Sequence, residues 1–352
     1  MLTARTHAAV LTLAATALFI PGCLEQPEPH LEPRNGAQHF ADLGQPTAHL
    51  YGHVWDPEIM WYLLAMCDGE PAPCPADPAS FPNVPAHELS ILRGAQVVVI
   101  DPLDENVAYP AEETTGDDGE WFVGNVPFRE DVPFFALAEV PPAGLRPPPA
   151  GLEGFPMPAP ANYLPTLDLK PIATNYTMCM QQQTSVLGHN GILEAVAKHL
   201  TAEGTPTTVN DLIDSERFAG VVVWWLLQPV PPGIHVPAFG TRMTADVGEV
   251  LNIDWAPPGL LPEEIQSERG FFVNMDEDFS PMGITVTLVR PADGNKEITW
   301  TPVDPVEDPE QGRPWQFGEL PPMTVSPGII MFSELPSYAE SLPIPPWACL
   351  PQ

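Results

Sequence analysis

The sequence predicts a mainly β fold: two β-sandwich domains with a short helical segment between them. Three observations lead there. The 352 residues include 48 prolines, which interrupt helices and confine strands to short, turn-bounded segments. The apolar residues make up 44% of the chain, too many for disorder throughout, and they gather in β-prone runs bounded by Gly, Pro, Asn and Asp. Finally, a set of segments in the first half recurs, in order, in the second.

The chain opens with one basic residue, Arg5, and an apolar run over residues 8–20. That run is too short for a permanent membrane-spanning helix, which takes about 20 residues, and fits a secretory signal. It ends in Ile20-Pro21-Gly22-Cys23, which resembles the lipobox of bacterial lipoproteins, although Pro21 departs from the small residue usual there. The resemblance implies cleavage between Gly22 and Cys23 and a Cys23 thiolate that accepts the lipid, leaving the protein tethered to a membrane by acyl chains. Leu24 follows, with no aspartate to signal inner-membrane retention, so the outer membrane is the expected address. Residues 23–48 are polar and proline-rich without periodicity, and read as a tether.

The formal net charge of −33, with only 13 basic residues, argues against nucleic acid as a partner, because a phosphate backbone requires clustered Lys and Arg. The only lysines are Lys170, Lys198 and Lys296. Beyond Cys23 there are four cysteines, Cys67, Cys74, Cys179 and Cys349. An even set outside the cytosol points to two disulfides. Cys67 and Cys74 enclose a short turn-rich loop and are natural partners; by elimination Cys179 would bridge Cys349. Closing that long loop is worth about 4 kcal/mol in the chain-entropy model. A metal site is the rival reading, but there is no Cys-x-x-Cys pair.

Residues 49–140 read as short strands. Gly52-His53-Val54-Trp55 comes first. Asp56-Pro57 then looks like a helix cap with proline at the first helical position, leading into residues 59–66 and an insertion as far as Ser90. Residues 94–100 form a β-prone run, residues 114–119 a tight turn with Gly119 at positive φ, and residues 120–123 and 134–139 further strands. This order resembles the carboxypeptidase regulatory-like domain, a transthyretin-like β-sandwich. The matching residues are Gly52 and Val54, Gly94-Ala95 and Val97, Thr115, Asp118, Gly119 and Trp121, and the run 134–139. The resemblance implies a module for adhesion, assembly or support.

Residues 141–171 read as a proline-rich linker, and residues 172–218 as a helical connector. In the connector Asn190 is the expected cap, Ile192, Leu193, Val196, Ala197 and Leu200 the apolar stripe, and Gly204 the stop. A second short helix is expected over 210–218. A second, diverged sandwich spans 219–336. There Trp315 to Pro321 repeats the pattern Trp-x-x-Gly-x-apolar-Pro of Trp121 to Pro127, and residues 329–334 correspond to 134–139. Residues 220–224 and 233–236 stand in for the opening strands, with further strands near 271–273 and 283–289. Residues 337–352 read as a tail.

No catalytic constellation stands out, and no cofactor or metal is expected. His189 and His199 lie ten residues apart, which places them on different helix faces, and His53 and His235 sit in strand-like runs. Asn274 to Asp278 offers alternating oxygens but lacks the glycine and the glutamate of a calcium loop. Ser185 and Ser267 have no base nearby in sequence. Trp55, Trp61, Trp224 and Trp225 are expected mainly in packing. The leading expectation is a non-enzymatic, lipid-anchored envelope protein with a structural or binding role. The alternatives are a solute- or carbohydrate-binding lipoprotein and an exported hydrolase whose site assembles only in three dimensions. The expected partners are the membrane, an envelope protein or a carbohydrate.

Overall fold

The structure is a computed structural model that describes residues 47–66, 86–104, 107–129, 133–142, 144–145, 157–172, 174, 181–230, 234–276, 282–304 and 316–338. In chain order its strands are β1 (Thr47–Trp55), β2 (Gln96–Ile100), β3 (Ala108–Pro110), β4 (Glu120–Pro127), β5 (Phe134–Glu139), β6 (Thr166–Ile172), β7 (Gln181–Ser185) and β8 (Gly220–Val230). There follow β9 (Ile234–Pro237), β10 (Arg242–Ala245), β11 (Glu249–Trp255), β12 (Phe271–Val273), β13 (Ile284–Val289), β14 (Trp300–Val303), β15 (Gln316–Phe317) and β16 (Ile330–Tyr338). The helices are α1 (Pro57–Met66), α2 (Ala86–Ser90) and α3 (Ile192–Ala202), with 3-10 turns at Val209–Ile213 and Pro291–Asp293. The fold is mainly β, as the sequence predicts.

One eleven-stranded sheet runs through both halves of the chain in the order β12-β11-β13-β8-β16-β6-β5-β2-β3, with β9 beside β8 and β15 beside β16. Its centre is parallel: β16 lies between β6 and β8 and runs the same way as both. The strands β4-β1-β7 form a second sheet and β10-β14 a third. Residues 166–171 of the expected linker are therefore strand. Leu167 and Leu169 point to one face of the sheet and Thr166 and Asp168 to the other, a two-residue period that the prolines on either side obscure in the sequence. The connector likewise contains β7 besides its helix.

Burial explains the sequence of each strand. Along β1, alternate residues Ala48, Leu50, Gly52 and Val54 are buried while Tyr51 is exposed, the pattern of a sheet with one wet face. All six residues of β13 are buried, because the large sheet is covered on both sides there and the run needs no polar face. On one side Val221, Val223, Trp225, Ile284, Val286 and Phe332 pack against Ile192, Leu193 and Val196 of α3. On the other, Val222, Trp224, Leu226 and Leu167 pack against Met243 of β10 and Trp300 of β14. A third core lies between the β4-β1-β7 sheet and β2, β5 and β6, built from Leu50, Val54, Val97, Val99, Trp121, Val123, Phe134 and Ala136.

The halves are paired differently. The segments 121–127 and 315–321 share a sequence pattern, yet the first lies in β4, antiparallel to β1, and the second supplies the two-residue β15 against the far end of β16. The corresponding strands β5 and β16 both border β6, one antiparallel and one parallel. The helix expected over 210–218 is a single 3-10 turn, Val209–Ile213, held by a capping box between Thr208 and Asp211. Gly119 and Gly204 both take positive φ, 73° and 91°, as turn and helix stop require.

Candidate functional site

The polar groups that converge in three dimensions do so at the start of α1. Asp56 caps that helix as the sequence predicts: its Oδ1 accepts from the backbone N–H of Glu58 at 2.9 Å and of Ile59 at 3.2 Å. Glu58 then reaches away from its own helix to α3. Its Oε1 accepts from the Ile192 N–H at 2.6 Å and its Oε2 from the Gly188 N–H at 3.3 Å. The first residue before α3 is Gly191, and no side chain from its own segment caps that helix; Asn190 instead donates to Ala159 O, Pro160 O and Glu268. The negative carboxylate at the N-terminus of α3 thus comes from a residue 134 positions earlier, where it also complements the helix dipole.

Arg269 closes the cluster. Its Nη1 donates to Asp56 Oδ2 at 2.6 Å and to Glu58 Oε2 at 2.9 Å, and the Tyr163 hydroxyl donates to Asp56 Oδ2 at 3.0 Å. Asp56, Glu58 and Arg269 are each 0% exposed, so four separate stretches of chain meet in a charged cluster sealed from water. Burial pushes the Glu58 carboxyl upward, the Arg269 guanidinium beside it pulls it down, Asp56 pushes it up again, and the net direction is up. Burial opposes the charge on Arg269, but Asp56 and Glu58 outweigh it and hold the guanidinium charged. Burial, then Asp56, raises the Tyr163 hydroxyl out of the titrating range.

Gly191 is required by this arrangement. A Cβ there would lie 2.1 Å from Glu58 Oε1, so Gly191→Ala must displace the capping carboxylate. The expected result is a loss on the order of 2 kcal/mol, typical of overpacking. Chemical denaturation measures it, and an unchanged midpoint would mean that Glu58 does not hold α3.

A second group of charges sits on the sheet centre. Asp168 on β6 is 3% exposed; its Oδ1 accepts from the Lys170 N–H at 2.9 Å and its Oδ2 from the Ser185 N–H of β7 at 3.0 Å, which ties the large sheet to the β4-β1-β7 sheet. Burial raises Asp168 to about 6, against those two N–H donors and the Lys170 charge. Glu334 on β16 is raised to about 7 by burial, opposed by Lys170 and reinforced by Asp168.

Two surface features lie near these clusters. A depression of about 310 Å³ is lined by Asn162, Tyr163, His189, Thr208 and Asn210, and its Tyr163 wall is the same residue that bonds Asp56. The outer face of the β4-β1-β7 sheet carries Tyr51 and Phe122, cross-strand partners that are 40% and 42% exposed. The His49 ring lies against Phe122, 5.6 Å between centroids and 19° from parallel.

The remaining sequence expectations fall as follows. Gly22, Cys23, Cys67, Cys74, Cys179 and Cys349 lie outside the described residues, as do the tether up to residue 46 and the tail beyond 338. His53 Nδ1 lies 3.1 Å from Asp118 O, and His189 Nδ1 faces the Asn162 backbone. Ser185 is buried beside Asp168, and Ser267 Oγ accepts from the Phe271 N–H in a turn. Asn274 bonds Asp254, and Glu277 and Asp278 lie outside the described residues. Among the described residues no three His, Cys, Asp or Glu side chains converge as a metal site. Trp55 is buried, Trp224 packs on Trp300, Trp225 on Phe332, and Trp61 on Trp255 and Phe239. Arg269 was missed; Ser267-Glu268-Arg269-Gly270 carries no local motif, and its partners are 213 and 211 residues away. No protein-family model matches the chain, and no curated protein does.

Proposed function

We propose that the chain is an exported lipoprotein, anchored to the outer membrane through Cys23, whose folded part serves a non-enzymatic structural or binding role at the cell envelope. In this reading the two halves are sandwich-like lobes sharing one sheet, the first of them a relative of the carboxypeptidase regulatory-like domain, and the four remaining cysteines form disulfides. The observation that carries the role is the Asp56–Glu58–Tyr163–Arg269 cluster. Its carboxylates face backbone N–H groups and the Nη1 of Arg269, whose Nε and Nη2 are buried without a hydrogen-bond partner, and no carboxylate or guanidinium of the cluster is exposed. Such a cluster clasps distant stretches of chain together and presents no acid or base to a substrate.

The anchor is tested by labelling cells with a fatty-acid probe. The wild-type chain is expected to take the label and Cys23→Ala to lose it completely; a labelled C23A protein would remove Cys23 from the account.

A second reading, carbohydrate binding, is favoured by one observation: Tyr51 and Phe122 stand half exposed side by side, where aromatic rings with one wet face are available to a ligand.

A further inference from the structure

We infer that the outer face of the β4-β1-β7 sheet is a platform for a neutral, extended polysaccharide; this rests on the carbohydrate-binding reading and gives it a location. The face is built by strand alternation. His49, Tyr51 and His53 of β1 point outward between the buried Ala48, Leu50, Gly52 and Val54, and Glu120 and Phe122 of β4 point outward around the buried Trp121. Register places Tyr51 beside Phe122 and His53 beside Glu120, and Gln183 of β7 beside His53 on the other flank. Neighbouring strands lie about 4.8 Å apart, so Tyr51 and Phe122 stand side by side as an aromatic strip across two strands, with the His49 ring stacked against Phe122.

Cross-strand stacking stabilises a sheet by about 0.2–1 kcal/mol per pair, but that role needs no open face above the rings. Here Tyr51 and Phe122 are both large, partly exposed aromatic side chains. Gly124 lies two residues after Phe122 on β4, and a Cβ there would come into ordinary contact with the Phe122 ring at 3.6 Å, His49 Nδ1 at 3.5 Å and Glu112 Oε1 at 3.5 Å. Any larger side chain at that position would stand over the strip.

The polar groups around the rings select the occupant. Glu112, Glu120, Gln183 and His53, which lies 3.9 Å from Glu120, border the strip, and among the described residues no Lys or Arg belongs to it. Ionised carboxylates only accept hydrogen bonds, so the ligand must bring donors. The carboxylates and the net charge of −33 repel anionic lipid, nucleic acid and acidic glycans. A neutral sugar chain meets each demand: its C–H faces lie flat on aromatic rings, and its hydroxyls donate to the carboxylates at the margin. An acidic or phosphorylated partner is repelled by the same carboxylates.

The test is retention of the detergent-solubilised full chain on insoluble cellulose, a neutral extended glycan, beside carboxymethylated cellulose. The wild-type chain is expected to bind cellulose and to bind the carboxymethylated form at least about tenfold more weakly. Tyr51→Ser with Phe122→Ser should weaken cellulose binding about tenfold, the loss of some 1.4 kcal/mol. Gly124→Leu, which leaves both rings in place, should do the same with an unchanged unfolding temperature, so the test survives if the double variant folds poorly. Absence of wild-type retention would overturn both the platform and the carbohydrate-binding reading. Retention that Gly124→Leu and the double variant leave unchanged would overturn the platform alone. A preference for the carboxymethylated form would overturn the choice of a neutral ligand.

Discussion

Replacing Arg269 with methionine is expected to lower the stability of the fold by about 3–5 kcal/mol, the range seen when one partner of a buried ion pair is removed. The substitution deletes the guanidinium bonded to Asp56 Oδ2 and Glu58 Oε2 and leaves two carboxylates within a cluster that water does not reach. Their backbone donors remain, but one carboxylate must then take up a proton, at a cost that grows with pH. A variant in which the whole cluster is neutral, Asp56→Asn with Glu58→Gln and Arg269→Met, should recover most of the loss, because no buried charge is left unmatched. Denaturant titration of the wild type and the two variants decides the matter. If Arg269→Met lies within 1 kcal/mol of wild type, the cluster is not sealed from solvent as described.

Stability should also fall as the pH rises from mildly acidic to neutral. Asp168 at about 6 and Glu334 at about 7 hold their protons more tightly in the fold than in the unfolded chain, where carboxyls titrate near 4. Glu58 shifts in the same direction. Between the unfolded and folded pKa values the native state binds more protons, so stability decreases with pH across that window and levels off on either side. Asp101, lowered chiefly by its hydrogen bond from Arg129, and Asp211, lowered chiefly by the Thr208 N–H, work in the opposite sense and at lower pH. The unfolding temperature is therefore expected to peak near about pH 4–5 and to drop on the order of 5 °C by about pH 7.5. Glu334→Gln should flatten the upper part of the profile. A profile that rises steadily to neutrality would falsify the assignment of protonated carboxyls to the sheet centre.

Much of the fold is legible residue by residue. The alternation of β1, the unbroken apolar run of β13, the apolar stripe of α3 and the Asp56-Pro57 cap each state their environment locally, because each depends on neighbours within a few positions. β6 was hidden, since Pro165 and Pro171 disguise a strand as a linker when its partners β5 and β16 are unknown. β10 and β11 were also missed; Arg242–Ala245 and Glu249–Trp255 mix polar and apolar residues because one lies in a two-stranded sheet and the other near an edge. The charged cluster was the least legible part. Asp56 was visible as a cap, but nothing near Glu58, Tyr163 or Arg269 encodes that they meet. Asp168 sits between Leu167 and Leu169 like an outward-facing strand residue, and only the second sheet laid over it makes it interior.

The position of β16 bears on the order of events during synthesis. It slots between β6 and β8, two strands that end at Ile172 and Val230 while β16 begins at Ile330, so both must keep an unzipped flank while a long stretch of intervening chain is produced. Until residues 330–338 arrive, the largest sheet is two fragments that no strand pairing joins, and such long-range pairing is slow to form. The large sheet is therefore completed only when the last of its central strands, close to the end of the described chain, has been made.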